Sequence, residues 1–254
     1  MSDTLTEARF RASWRRKPGV ALAAIRRLIA NKEDTQAVFE IMRALSGRSI
    51  PNGYRRLVDT AAGGHMAAAA RELAPLLDDH DTLRRLPAGT VGRVYVDFVE
   101  GRKISAEGLA AESRKVGDSD IDSAHPYAWY ARRMRDVHDL WHVLSGYNTD
   151  ALGESCVVAF SYAQTRSLGF ALIAVAGAQT IARQLPDQPI RRAVLQAWWN
   201  GRQAAWLPAV DYEALLAEPL VEARRRLKIA PPSWYHRIPE VTGVMEPSPI
   251  PQAA

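Results

Sequence analysis

The sequence predicts an all-α fold, and three observations carry that expectation. Apolar residues recur at spacings of three and four along most of the chain, no segment alternates at period two, and no strand-then-helix rhythm is present. The chain has 254 residues, 47% hydrophobic and 24% charged. That composition excludes disordered, collagen-like and low-complexity classes, and the length suffices to bury a substantial core. A single-domain helical bundle with a buried apolar helix pair is predicted.

The net charge is +5, and 28 of the 33 positive residues are Arg, set mostly in pairs and triplets such as Arg15-Arg16, Arg26-Arg27 and Arg224-Arg225-Arg226. No zinc-finger, RNA-recognition or basic-zipper pattern accompanies them, so solvated Arg-rich helix faces are expected and nucleic acid is not an expected partner. Anionic lipid heads are the next partner for such faces. One cysteine, Cys156, allows no internal disulfide, and no signal-peptide pattern opens the chain. A reducing compartment is expected.

Residues 8–31 lack acids and place Val20, Ala23, Ala24, Ile25, Leu28 and Ile29 at helical spacing, which reads as a basic amphipathic membrane-surface or docking helix. From Thr35, the recurrence of Val38, Ile41 and Leu45 predicts a helix closed by Gly47. The stretch GRSIPNGYRRL reads as a loop, and another helix is expected from Gly64 to Leu77. The cluster Asp78, Asp79, His80 and Asp81 falls where a loop enters a short helix, and acids suit that position without any ligand role. In LPAGTVGRVYVDFV a Pro-Ala-Gly turn and a Thr90 cap precede one apolar face made of Val91, Val94, Tyr95 and Phe98. A polar connection runs to about Ala124. Pro126 then starts a helix that runs to Ser145 and is closed by Gly146. Between Ser155 and Ala182 the only charge is Arg166, as expected of a helix pair that is fully buried or lipid-facing; no segment reaches the length of a membrane span. Pro247, Pro249 and Pro251 mark a tail. The predicted organisation is therefore a basic N-terminal segment, 1–34, a helical domain, 35–235, and a flexible Pro-rich tail, 236–254.

The helix after Pro126 carries the chemistry. His138 and His142 are four apart, so their side chains leave one face one turn apart and can share a small ion. They border an apolar stripe of Tyr127, Tyr130, Met134, Val137 and Trp141, whereas Arg132, Arg133 and Asp136 lie on other sides. Two buried imidazoles without a partner are costly, and an ion or a carboxylate between them relieves the cost. Asp139 follows His138, and the chain can reverse through residues 147–150 into a helix with Glu154 near its start. Two imidazoles and up to two carboxylates suit Zn, Fe, Mn or Co rather than soft thiolate metals. Against this, Asp139 can pair with Arg135, and Glu154 is also a favourable first-turn acid. His65, His80, His125 and His236 are expected in surface, loop or turn positions. Cys156 is expected as a small buried hydrophobe.

His138-Asp139-x-x-His142 followed after eleven residues by Glu154 resembles the HDxxH-x11-E motif of the coenzyme Q (ubiquinone) biosynthesis protein 4 family. LPAGTVGRVYVDFV is similar to that family's Pro-x-Gly-Thr-Leu-Gly-Arg-x-Tyr segment, with Val91 in place of the Leu, and EPLVEARRRLKIAPP extends the likeness. The resemblance covers roughly Leu86 to Pro232. It implies an all-helical protein with a divalent metal bound at His138, Asp139, His142 and Glu154, which are thereby also the implied catalytic residues. It further implies a hydrophobic tunnel for a prenyl tail, peripheral attachment to a membrane surface (here the cytoplasmic, inner face of the cell membrane) and association with other ubiquinone-pathway enzymes. A homodimer is an expected assembly. The implied reaction is oxidative decarboxylation at ring carbon 1 of a polyprenylated hydroxybenzoate, with hydroxyl replacing carboxylate. Adjacency to Glu154 suggests that the 155–182 stretch lines the tunnel, with Ala171 and Ala174 as positions where a bulky side chain would block it.

Three readings compete on the sequence. They are a metal-dependent decarboxylase of prenylated aromatic acids, a non-catalytic prenyl-lipid-binding scaffold with a structural metal, and a metallohydrolase using Asp139 as base. The last is weakest, because the helical zinc-protease pattern has Glu after the first His. Coordination separates the first two: a structural site is closed and four-coordinate, and a catalytic one keeps a position open.

Overall fold

The computed structural model describes residues 14–31, 34–102, 108, 111 and 123–238, and among these the chain forms fourteen α-helices, two short 3-10 turns and no strand. Most of the connection before Ala124, the first thirteen residues and the Pro-rich tail from residue 239 lie outside the described residues. No described helix is long and apolar enough to cross a membrane.

Helices α1 (Pro18–Ala30) and α2 (Thr35–Leu45) form a hairpin. Asp34 caps α2 by accepting from the Ala37 amide at 2.8 Å, and Gly47 beyond its end sits at φ 54°. Ala24 and Ile25 of α1 pack on Ala37 and Ile41 of α2. The expected loop GRSIPNGYRRL is instead helix α3 (Ser49–Val58). Its Pro51 lies in the first turn, where a missing amide proton costs nothing. Gly53 is required by packing, because a Cβ there would stand 2.4 Å from the Tyr130 hydroxyl. The helix expected from Gly64 to Leu77 is two, α4 (Ala61–Ala69) and α5 (Ala74–Leu77), divided at Ala70 with φ 46°. Asp79 caps α6 (His80–Arg84), as acids at a helix start do.

Helix α7 (Val91–Arg102) buries the predicted face of Val91, Val94, Tyr95 and Phe98, and also Val96 and Val99 on its flank. The Thr90 hydroxyl donates to the Pro87 carbonyl rather than capping α7, and Thr90 forms an isolated bridge with Pro219. The helix predicted from Pro126 to Ser145 breaks at Val137 into α8 (Pro126–Asp136) and α9 (His138–Ser145). Arg133 and Asp136, expected away from the apolar stripe, are buried. The Nη2 of Arg133 donates to the Val210 carbonyl at 2.6 Å, and Arg135 pairs with Asp136, not with Asp139.

The charge-poor stretch folds as the helix pair α10 (Ala151–Thr165) and α11 (Leu168–Gln184), joined through Arg166 at φ 61°. Helix α10 is the centre of the bundle, packed between α11 and α12 (Ile190–Gln203). Gly201 of α12 lets the backbones meet, since a Cβ would lie 2.7 Å from the Phe160 carbonyl oxygen. The Gln164 amide then fastens α10 to the chain after α12: it donates to the carbonyls of Gly201 and Ala205 at 2.6 and 3.1 Å and accepts from the Leu207 amide at 2.8 Å. Helices α13 (Tyr212–Leu216) and α14 (Leu220–Arg226) close the core against α7 and α9.

Candidate metal centre

The site is built by the turn between α9 and α10. Gly146 ends α9 at φ 82°, a left-handed value that favours glycine, and its amide donates to the His142 carbonyl at 2.8 Å. Arg224 secures the same helix end, its Nε and Nη2 donating to the carbonyls of Leu144 and Val143 at 2.9 Å. Burial pushes the Arg224 guanidinium down to about 10. Asp150 caps α10, accepting from the amides of Leu152 and Gly153 at 3.0 and 2.9 Å. The Tyr235 hydroxyl donates to the second Asp150 oxygen. Arg102 lies over the Phe98 ring and donates to the side chains of Asn148 and Thr149 at 3.0 and 3.1 Å. The start of α10, and so Glu154 one turn in, is thus held from three directions.

Three side chains converge. The Nε2 atoms of His138 and His142 lie 3.3 Å apart, and Glu154 places one oxygen 3.3 Å from His142 Nε2 and the other 3.6 Å from His138 Nε2. Ligand atoms about 2.0–2.1 Å from one ion at tetrahedral angles lie about 3.3–3.4 Å from each other, so this set has the spacing of a metal triad. The Nδ1 of His142 lies 3.0 Å from the Tyr147 carbonyl and, as donor to it, leaves Nε2 as the lone-pair nitrogen facing the other two groups. Phe98 stacks on the His142 ring at 5.6 Å, and His142 is wholly buried. Asp139 joins the histidines in a cluster whose ligand atoms all lie within 4.8 Å of one another. A divalent ion fits these donors.

Electrostatics bind the cluster together. Burial favours the neutral form of Glu154, but His142 and His138 in their protonated forms, with no ion between them, outweigh it by charge and by the hydrogen bonds they then donate, and hold the carboxyl well below the usual carboxylate range. Burial would likewise push the His138 imidazole down; the Glu154 hydrogen bond and the charges of Glu154 and Asp139 outweigh it and raise it. For Asp139 burial wins over the two imidazoles, and its carboxyl is raised.

Glu154 is 43% exposed because it faces a cavity of about 670 Å³. One whole face of α10 lines it, from Ala151 through Glu154, Ser155, Val158 and Ser161 to Thr165, about 21 Å at 1.5 Å per residue. Helices α1, α2, α8 and α11 complete the wall, with His138 and Glu154 toward one end. Ala176 and Gly177 of α11 border the cavity. Ala171 and Ala174 do not, and Ala174 packs into the core instead. The residues that sequence reasoning missed are the supporting ones, Tyr147, Arg102, Arg224 and Tyr235. Only the Gly146 turn signalled that a backbone carbonyl would come back to a histidine. The other histidines play no part in the cluster: His65 is exposed, His80 lies beside Glu100, His125 caps α8 and His236 is exposed. Cys156 is free and buried, as expected.

An all-α bundle whose two-histidine helix turn and facing glutamate line an apolar cavity defines a helical protein with a candidate metal centre. Residues 20–233 match the profile of the family described as coenzyme Q (ubiquinone) biosynthesis protein Coq4, and the chain belongs to that family. The match begins well before Leu86, so α1 and α2 are part of the shared fold. Among curated relatives, the chain is 32% identical over 154 residues to the mitochondrial ubiquinone biosynthesis protein COQ4 homolog of Rattus norvegicus, covering 61% of this chain and 56% of that one. It is 30% identical over 157 residues to the Homo sapiens homolog, covering 62% and 57%. The alignments thus span little more than half the length of these relatives. A crystal structure of a protein from Nostoc punctiforme, described there as a putative ubiquinone biosynthesis protein, matches with TM-score 0.63 at 21% identity, over 84% of this chain and 99% of that one, and shows the same fold.

Proposed function

We propose that this protein acts in ubiquinone biosynthesis as a metal-dependent enzyme that replaces the ring carbon 1 carboxylate of a polyprenylated hydroxybenzoate by hydroxyl. One observation carries the reading: a triad with metal-ligand spacing opens onto the end of a long apolar cavity. His138, His142 and Glu154 would hold the ion, with Asp139 as the fourth group. A divalent metal there supplies a Lewis acid for the substrate's carboxylate and phenol oxygens and a centre for oxygen activation. The replacement releases CO₂ and is a two-electron oxidation; with dioxygen as oxidant it also consumes two electrons and two protons from an external donor.

The chain's own residues do the rest. Tyr147 fixes the His142 tautomer, Asp150 and Tyr235 hold the helix that aims Glu154, and the cavity wall excludes water. Each isoprene unit buries five carbons worth about 0.8 kcal/mol apiece, so a long tail needs such an enclosure. Within this reading residues 1–34 form the membrane-facing element of the peripheral protein. In α1, Val20, Leu22 and Ile29 are 47%, 51% and 48% exposed. Residues 35–235 form the catalytic domain, and other enzymes of the pathway and a second copy of the chain are its proposed partners. Metal analysis of protein purified without chelator or histidine tag tests the reading, alongside turnover of a prenylated hydroxybenzoate. Near-stoichiometric redox-capable metal that is lost in a His138→Ala/His142→Ala double variant, together with turnover, supports it. Metal without turnover favours the scaffold with a structural ion, and absence of metal from the wild type overturns both.

A further inference from the structure

Seven large hydrophobic side chains stand exposed among the described residues, and six of them lie on three helices packed side by side, α1, α11 and α12. Leu172, Ile173 and Ala176 of α11 pack on Ala24 and Ile25 of α1, and α12 also packs on α11. The α11–α12 hairpin fixes its own register, because Arg191 Nη2 donates to the Gln179 side-chain oxygen at 3.0 Å. One turn along each helix from that contact stand Val175 and Leu195, 68% and 62% exposed, and one turn beyond Leu195 comes Trp199, 50% exposed. Arg191, Leu195, Trp199 and Arg202 therefore share one outward stripe of α12. The stripe is cationic as well as apolar, and no acid occurs from Gln188 to Val210. Arg202 lies over the rings of Trp198 and Trp199 at 5.2 and 6.0 Å, and Arg192 and Arg237 lie over Trp234 at 5.1 and 4.8 Å. Exposed arginines elsewhere take carboxylates, as Arg84, Arg225 and Arg226 do; Arg191, Arg192, Arg202 and Arg237 have no acid partner among the described residues.

The combination selects the occupant. A second copy of the chain would set like charges against each other, and a nucleic acid matches the arginines but leaves Val175 and Leu195 without use. A bilayer with anionic lipid takes both, since tryptophan and aliphatic side chains settle at the headgroup boundary while arginines reach the lipid charges. The same layer of helices is a wall of the apolar cavity, whose lining includes Leu28 and the half-exposed Ile29 of α1 and Ile173 and Ala176 of α11. We propose that the outward face of α11 and α12 is a docking surface for anionic membranes, with Leu195 and Trp199 at the headgroup boundary and Arg191, Arg192 and Arg202 on the lipid heads. It carries the membrane contact beyond the residues 1–34 assigned above, and it requires neither the metal nor the reaction proposed there.

The test is flotation of the full chain with vesicles of phosphatidylcholine alone and of phosphatidylcholine and phosphatidylglycerol in equal parts. The wild type is expected to float with the mixed vesicles, more weakly with phosphatidylcholine, and less as salt rises. Arg191→Gln/Arg192→Gln/Arg202→Gln is expected to weaken binding to the mixed vesicles at least about 10-fold, each arginine near an anionic surface being worth about 5-fold. Leu195→Ser/Trp199→Ser is expected to weaken binding to both kinds of vesicle, with an unfolding midpoint near that of the wild type; where the double variant fails to fold, Leu195→Ser alone is read. Arg84→Gln/Arg225→Gln/Arg226→Gln removes the same charge from other surfaces and is expected to bind as the wild type does. Equal losses in the two arginine variants reduce the effect to net charge and overturn the docking surface. Wild-type affinity in both α12 variants, with loss in Leu22→Ser/Ile29→Ser, overturns this inference and leaves the 1–34 element standing. A wild type that floats with neither vesicle overturns both membrane assignments and leaves the metal centre and its proposed reaction standing. Binding of duplex DNA without vesicle binding, or a dimer in sedimentation that Leu195→Ser/Trp199→Ser breaks without vesicle binding, overturns the bilayer as the occupant.

Discussion

The Nδ1 of His142 lies 3.0 Å from the carbonyl oxygen of Tyr147, five residues on and across the Gly146 turn. A backbone group therefore sets the direction of the imidazole, and the turn that makes this possible needs a left-handed residue. Gly146→Ala would place a Cβ in that conformation, 3.3 Å from Pro232, at a cost of about 1–2 kcal/mol. Denaturant unfolding should show that loss, and zinc titration should show weaker binding by about 10-fold or more, as supporting groups of metal ligands do. Unchanged zinc affinity would sever the turn from the site.

His142→Ala should remove bound metal while leaving helicity intact, because the side chain adds nothing to the helix backbone. Protons compete with metal for imidazole lone pairs, and Glu154 and Asp139 raise the His138 imidazole above the ordinary value of about 6.5, so wild-type metal affinity should already be falling as pH drops to that value. Affinity flat from pH 8 to 5 would point to carboxylates alone.

Ala176→Trp should fill the cavity on the α11 side without touching the triad. Binding of 2-geranylphenol should weaken at least about 10-fold, as expected where added bulk cannot be accommodated, with metal content unchanged. Equal binding by the variant would show that the prenyl group lies elsewhere.

Gly201→Ala tests the α10–α12 contact. The new methyl meets backbone at Phe160 as well as the Ala163 methyl, so the helices must separate, at about 1–3 kcal/mol. The midpoint of chemical unfolding should fall accordingly.

Acid should weaken the fold through identifiable carboxylates. The amide of Ala37 chiefly, with Arg27, holds Asp34 below the usual range, and the Arg226 fork does the same for Glu218. A carboxyl with a lowered folded value stabilises the fold above its unfolded value, about 4, and that contribution disappears as pH falls through the folded value. Thermal midpoints at pH 7 and 3 should therefore differ less in Asp34→Ala and Glu218→Gln than in the wild type.

Helix periodicity was readable because it is local: the face of Val91, Val94, Tyr95 and Phe98 and the start at Pro126 appear where spacing and proline chemistry put them. The errors have a common source. Helix α3 was hidden because Pro51 and Gly53 look like loop residues, yet one lies in a first turn and the other makes room for Tyr130, which arrives from α8. The break at Val137 and the burial of Arg133 and Asp136 follow from partners far along the chain, such as the Val210 carbonyl.

By itself the sequence determined the all-α class, the two histidines on one helical face, and a charge-poor helix pair, of which only α10 became the bundle's centre while α11 leaves Val175 68% exposed, since each depends on residues within a few turns of one another. The tertiary structure alone decided that Glu154 reaches both histidines and that Tyr147 orients one of them. Those relations depend on how a glycine turn, a capped helix and the packing of α8, α10 and α11 bring separate segments together in space, which no periodicity records.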